Sequence, residues 1–174
     1  HVEPVCYSTD DTAELAEIFN GNEALIKKYA EKLSISFERV EYAKNNFIRV
    51  VKVMKAFILN DSVKSFLCLN NKLPQENKGL FDIKLLEEFA DAIIKLYGIR
   101  GLKGKDLLYN INSEDYDAKR AEFIQRLSKG EKLFVISSYN TVGAGQNLQY
   151  KAPGNATIVA VNDYDRGDME KDFD

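Results

Sequence analysis

The chain has 174 residues, 45% of them hydrophobic and 29% charged, and a formal net charge of −3. That length suits one domain burying about two-thirds of its unfolded surface, and the charge excludes a globally basic nucleic-acid binder, so any such surface is local. The single histidine, His1, excludes a Ser-His-Asp triad, a histidine general base and a histidine-rich zinc site.

Residues 1–10 carry little pattern. From Asp11 to about Asn60 the chain reads as helical. "DTAELAEIF" and "NEALIKKYAEKL" form one or two helices, with Gly21 between them. A longer helix follows, in which Phe37, Val40, Ala43 or Lys44, Phe47, Val50 or Val51, Met54 and Phe57 or Ile58 recur every three to four residues. That spacing stacks them on one face, and Ser36 stands where an N-cap belongs. The stripe reads as core rather than as a ligand box.

After Asp61 the pattern changes to strands alternating with helices. "SVKSFLCLNNK" (62–72) reads as a buried strand, followed by the loop "NNKLPQENKG". "DIKLLEEFADAIIKLYGI" (82–99) reads as a helix capped by Asp82 and ended by Gly98 and Gly101. Its inward face would carry Ile83, Leu86, Phe89 or Ala90, Ile93 and Leu96 or Tyr97. "KDLLYNIN" (105–112) is a second strand, and "SEDYDAKRAEFIQRLSKG" (113–130) a second helix of this region, acidic at its start. "KLFVISSY" (132–139) and "NATIVAVNDY" (155–164) complete the strands. The expected fold is α/β, an open and mostly parallel sheet with right-handed crossovers behind a helical N-terminal segment. The boundary is expected near residue 60, with 1–60 helical and 61–174 the α/β part.

The remaining residues narrow the chemistry. Cys6 and Cys68 lack metal-ligand spacing and fit a reducing, cytoplasmic compartment; Cys68, inside an apolar run, reads as a packing residue. No apolar run approaches the ~18 residues of a membrane span and no signal-peptide pattern is present, so no membrane partner is expected. The basic cluster "RGLKGK" (100–105) and the acidic end "DYDRGD…EKDFD" read as solvated turns. The chain starts without Met and stops at "EKDFD", which leads us to expect a piece of something longer.

In open α/β sheets, ligands sit beyond the carboxyl ends of the strands. There "Gly143-Ala144-Gly145" follows a strand. Glycines so spaced make a tight turn or begin a phosphate-binding helix, whose amides point at anions. The dinucleotide fingerprint is broken, because Leu148 stands where its third glycine belongs, and no Walker pattern occurs anywhere.

The wider string "RAEFIQRLSKGEKLFVISSYNTVGAGQNLQY" (120–150) resembles the second RecA-like lobe of superfamily-two helicases and translocases. Swi/Snf-type members carry, as motif V, roughly S-T-[RK]-A-G-G-x-G-x-N-L. Without a gap, Ser138 to Leu148 matches it at Ser138, Gly143, Gly145, Asn147 and Leu148. The 62–72 strand would then be motif IV. DEAD-box relatives have Thr where Tyr139 stands and Asp where Asn147 stands. No motif VI signature follows, and Arg166 reads as a loop arginine.

The resemblance implies a RecA-like fold and a role for each residue of the string. Ser138, Tyr139, Asn140 and Thr141 would meet the sugar-phosphate backbone of DNA or RNA, contacts that position a strand without reading its bases. Gly143 and Gly145 would admit a close main-chain approach, and Gly145 and Asn147 would reach the ATP ribose. ATP and Mg would be held mainly by a first RecA-like lobe, a further partner, so this chain alone would not hydrolyse ATP. Two other readings stay open: a Rossmann-like nucleotide-binding domain, and a degenerate helicase-like lobe kept as an interaction module.

Overall fold

The computed structural model describes residues 10–38, 40–70, 73–76, 81–112, 114 and 116–139. Within them, helices α1 (Asp11–Ile18), α2 (Glu23–Ser36) and α3 (Glu41–Leu59) precede strand β1 (Ser65–Asn70). Helix α4 (Ile83–Leu96), a helical turn α5 (Gly104–Leu107), β2 (Leu108–Ile111), α6 (Tyr116–Ser128) and β3 (Leu133–Ser138) follow. The strands form one parallel sheet in the order β1-β3-β2. The last described strand is therefore the central one.

Local chemistry explains where the helices begin. The Asp10 carboxylate accepts the Thr12 N–H at 2.9 Å, the Asn22 carbonyl oxygen accepts the Leu25 N–H at 3.1 Å, and the Asp82 carboxylate accepts the Lys84 N–H at 2.8 Å. Each satisfies a donor that a helix start leaves without an intrahelical partner. Ser36, expected to cap the long helix, is instead the last residue of α2. Phe37 is drawn inward against Phe47, with ring centroids 5.4 Å apart, which closes α2 and delays α3 to Glu41.

Alternation along the strands sorts side chains to two faces. Phe134 and Ile136 of β3, Leu108 of β2 and, partly buried, Phe66 and Cys68 of β1 pack with α1 to α4. Leu133 and Val135 of β3, with Tyr109 and Ile111 of β2, pack against Phe123 and Leu127 of α6. The architecture is thus α/β with helices on both faces of a small open sheet. β1 proves less enclosed and shorter than the expected 62–72 strand: Leu67 is 41% exposed, because the α6 cluster covers β2 and β3 and includes no β1 residue.

A run of aromatic rings joins the helices on the larger side. Phe19, Tyr29 and Phe89 meet at 4.3–5.7 Å between centroids, and Phe47 meets Phe89 edge-on at 5.5 Å. Phe57 and Phe66 both pack on Phe134, at 5.8 and 5.2 Å, and so tie α3 to the sheet. Such pairs contribute about 0.5–1.5 kcal/mol each beyond their burial.

One buried charge joins α3 to α1. Lys52 Nζ lies 2.8 Å from Glu14 and 2.7 Å from Glu17, with Lys52 and Glu14 both almost fully buried. Burial alone would lower the ammonium pKa, but hydrogen bonds to the two carboxylates outweigh it and the pKa is raised. The lysine therefore stays charged at neutral pH.

The expected 105–112 strand is shorter than its apolar pattern, because Gly104–Leu107 forms a helical turn packed on α4. The Gly104 N–H donates to Asp91 Oδ1 at 2.7 Å, and a Cβ at Gly104 would stand 2.5 Å from the Glu87 carbonyl oxygen. Only glycine fits that approach without backbone movement. Helix α6 likewise occupies Tyr116–Ser128 of the expected 113–130. The expected strand at 155–164 lies outside the described residues.

Two stability measurements check this account by urea denaturation. Gly104→Ala is expected to lose about 1–3 kcal/mol by forced displacement of α5. Lys52→Met is expected to lose about 3–5 kcal/mol by leaving Glu14 buried without its cation, and a Glu14→Gln/Lys52→Met double variant to recover much of that. Full additivity of the two charge substitutions would refute the pairing.

Candidate functional site

The carboxyl ends of the three strands converge on one edge of the sheet. The connection leaving β1 runs to α4 on one face, and that leaving β2 runs to α6 on the other. The end of β3 lies between these two exits, the position at which open α/β sheets hold ligands.

Side chains at this edge are amides and hydroxyls. Asn70 ends β1 directly opposite Ser138, which ends β3, and the pair lies on the same face as α3. Asn70 is 8% exposed, and its Oδ1 accepts from Asn46 Nδ2 on α3 at 3.2 Å. Ser137, fully buried, donates from its hydroxyl to the Ile111 carbonyl oxygen at 3.1 Å and so ties β3 to the end of β2. On β2, Asn110 Nδ2 donates to the Pro74 carbonyl oxygen at 3.0 Å, while the Asn110 carbonyl oxygen accepts from Lys119 Nζ of α6 at 2.6 Å. The Asn110 side-chain oxygen is buried without a hydrogen-bond partner.

Of the residues the motif string nominates, Ser138 and Tyr139 are described. Ser138 is half-buried at the tip of the central strand, and Tyr139 beside it is 57% exposed. Asn140, Thr141, Gly143, Gly145 and Asn147 lie outside the described residues. The structure adds Asn46, Asn70, Asn110 and Lys119 to the edge. Asn70 had a legible signal, since it closes the apolar run "FLCL" just where a strand should end. Asn46 and Lys119 had none, because only the tertiary packing of α3 and α6 brings them here.

The edge is built to hydrogen-bond, not to do acid–base chemistry. Among the described residues, no group of three or more His, Cys, Asp or Glu is disposed to hold a metal ion. Cys68, two residues before Asn70, has its thiol pKa pushed up to about 11 by burial, which makes it a packing residue and not a nucleophile. Again among the described residues, no helix is long and apolar enough to cross a membrane.

Comparison with known proteins gives no matching family model and no matching curated protein.

The raised thiol pKa sets an expectation for reactivity. Iodoacetamide at pH 8 should label Cys68 of the folded chain at least ~10-fold more slowly than the same chain in urea, followed by peptide mass spectrometry at that site. Equal rates would show that the thiol is not buried.

Proposed function

We propose that the chain is the second RecA-like lobe of an ATP-dependent nucleic-acid helicase or translocase. One observation carries this reading. The string Ser138 to Leu148 follows the central strand of a parallel sheet, and its first residue stands at the carboxyl end of that strand. The alternation of β1, α4, β2, α6 and β3 leading to it supports the same reading.

On this reading the lobe supplies position rather than chemistry. Ser138, Tyr139, Asn140 and Thr141 face the sugar-phosphate backbone with hydroxyl, amide and main-chain groups, which hold a strand in register whatever its sequence. Tyr139, already exposed, also offers a ring against which a base or sugar packs. Gly143 and Gly145 let the main chain close on the nucleotide, and Asn147 hydrogen-bonds its ribose. A first lobe holds most of the ATP and its Mg, and closure of the two lobes around ATP drives stepping along DNA or RNA. The described residues include no acidic set suited to magnesium, in keeping with that division of labour.

The test is fluorescence anisotropy of labelled single-stranded and duplex oligonucleotides titrated with the chain. Expected is weak binding, at about the 10⁻⁴–10⁻⁶ M of non-specific contacts, that falls as salt rises and falls further in Ser138→Ala. Tight, salt-resistant binding would overturn the reading, as would no binding at all. Affinity for ATP in the chain alone, with none for nucleic acid, would favour the Rossmann-like alternative.

A further inference from the structure

Helix α3 belongs to the N-terminal segment, to which the motif string assigns no role, yet it reaches the carboxyl edge through one side chain. Asn46 stands beside Phe47, which is fully buried in the ring cluster, so its backbone is fixed by packing. Its Nδ2 donates to Asn70 Oδ1 at 3.2 Å. A carboxamide carries its acceptor and its donor on opposite arms. Holding the oxygen of Asn70 on α3 therefore fixes the plane of that amide and turns its nitrogen away from α3, out of solvent. Asn70 in turn stands opposite Ser138 across the parallel ladder. In the low dielectric of a nearly closed site, an amide free to flip would present its oxygen and nitrogen alternately, and the end of β3 would lose a fixed neighbour.

We propose that Asn46 is a positioning residue: acting through Asn70, it fixes the carboxyl end of β3 and so the Ser138 contact with nucleic acid. The geometric half of this inference stands on the Asn46–Asn70 hydrogen bond, and its ligand rests on the second-lobe reading above. The N-terminal helices are then coupled to the site, not merely packed behind the sheet.

The experiment compares the full chain with Asn46→Leu, which keeps bulk and removes the donor, and with Ser138→Ala. Two readouts are needed. In ¹⁵N spectra, Asn46→Leu is expected to speed solvent exchange of the Asn70 side-chain NH₂ and to shift the Ser138 amide, while resonances of α6 stay in place. An unchanged Asn70 NH₂ would overturn the inference, whatever the chain binds. In anisotropy with a labelled single-stranded oligonucleotide, Asn46→Leu is expected to weaken binding about 2- to 10-fold, the effect of one hydrogen bond, and Ser138→Ala to do likewise. Weakening by Ser138→Ala alone would overturn the inference and leave the second-lobe reading standing. If the parent chain binds no oligonucleotide, the second-lobe reading falls, and the NH₂ exchange decides the positioning role by itself. Should Asn46→Leu fold poorly, Asn46→Asp serves in its place: it keeps the shape but cannot donate, so Asn70 must reverse its amide to pair with the carboxylate, with the same expected change at its NH₂.

Discussion

Everything in this structure is organised by one constraint: β3 is buried on both faces and paired along both edges. A strand so placed has its backbone donors and acceptors committed to β1 and β2, and its side chains committed to two separate apolar layers. Phe134 and Ile136 answer to α3 and α4, while Leu133 and Val135 answer to α6. A one-residue slip would exchange those layers, so register is fixed strongly. The polar end, Ser137-Ser138, is where this commitment stops. Ser137 still spends its hydroxyl on holding β2, and Ser138 is the first residue that meets the edge.

The two faces are held by unlike means. On the α6 side the cluster is small, and hydrogen bonds reinforce it. The Tyr109 hydroxyl donates to the Lys119 carbonyl oxygen at 2.9 Å or to Glu122 at 3.0 Å, and Arg126 reaches the Asp106 carbonyl oxygen while its cation lies over the Tyr109 ring. On the other side the rings from Phe19 to Phe134 give a large apolar interior that α1 to α4 share with the sheet. The Lys52–Glu14 pair inside that layer is a less obvious stabiliser. Two buried charges recover their desolvation only with good geometry, and the third partner, Glu17 near solvent, helps supply it.

How much of this could be read in advance varies by residue, for physical reasons. The stripe from Phe47 to Ile58 showed plainly, since a helix packed on a broad core must repeat its apolar residues at helical spacing. Asp82 showed as a cap, because a short acceptor before an apolar run has few other uses. Ser36 misled: it has the chemistry of a cap, but the burial of Phe37 decided where the chain turned. Leu107 misled in the same way, its apolar neighbours suggesting a strand while Gly104 let a helical turn form against α4. Parallel pairing followed from the alternation of elements, but which strand lay in the centre did not, since no local signal marks position within a sheet. At the edge, Ser138 was legible because it belongs to a contiguous string. Asn46, 92 residues upstream of it in the numbering, owes its place to packing alone.

The strand order also constrains how the chain acquires its shape as it leaves the ribosome. β1 and β2 never touch; each needs β3, which is made after both. Helices α1 to α4 can collapse early through ring contacts that span modest sequence separations, but the ladder must wait until residue 138 has emerged. Pairings this distant along the chain close slowly, and in that interval β1 presents unpaired backbone on both sides. Vectorial synthesis therefore leaves a half-built, sticky intermediate whose lifetime is set by the arrival of six residues.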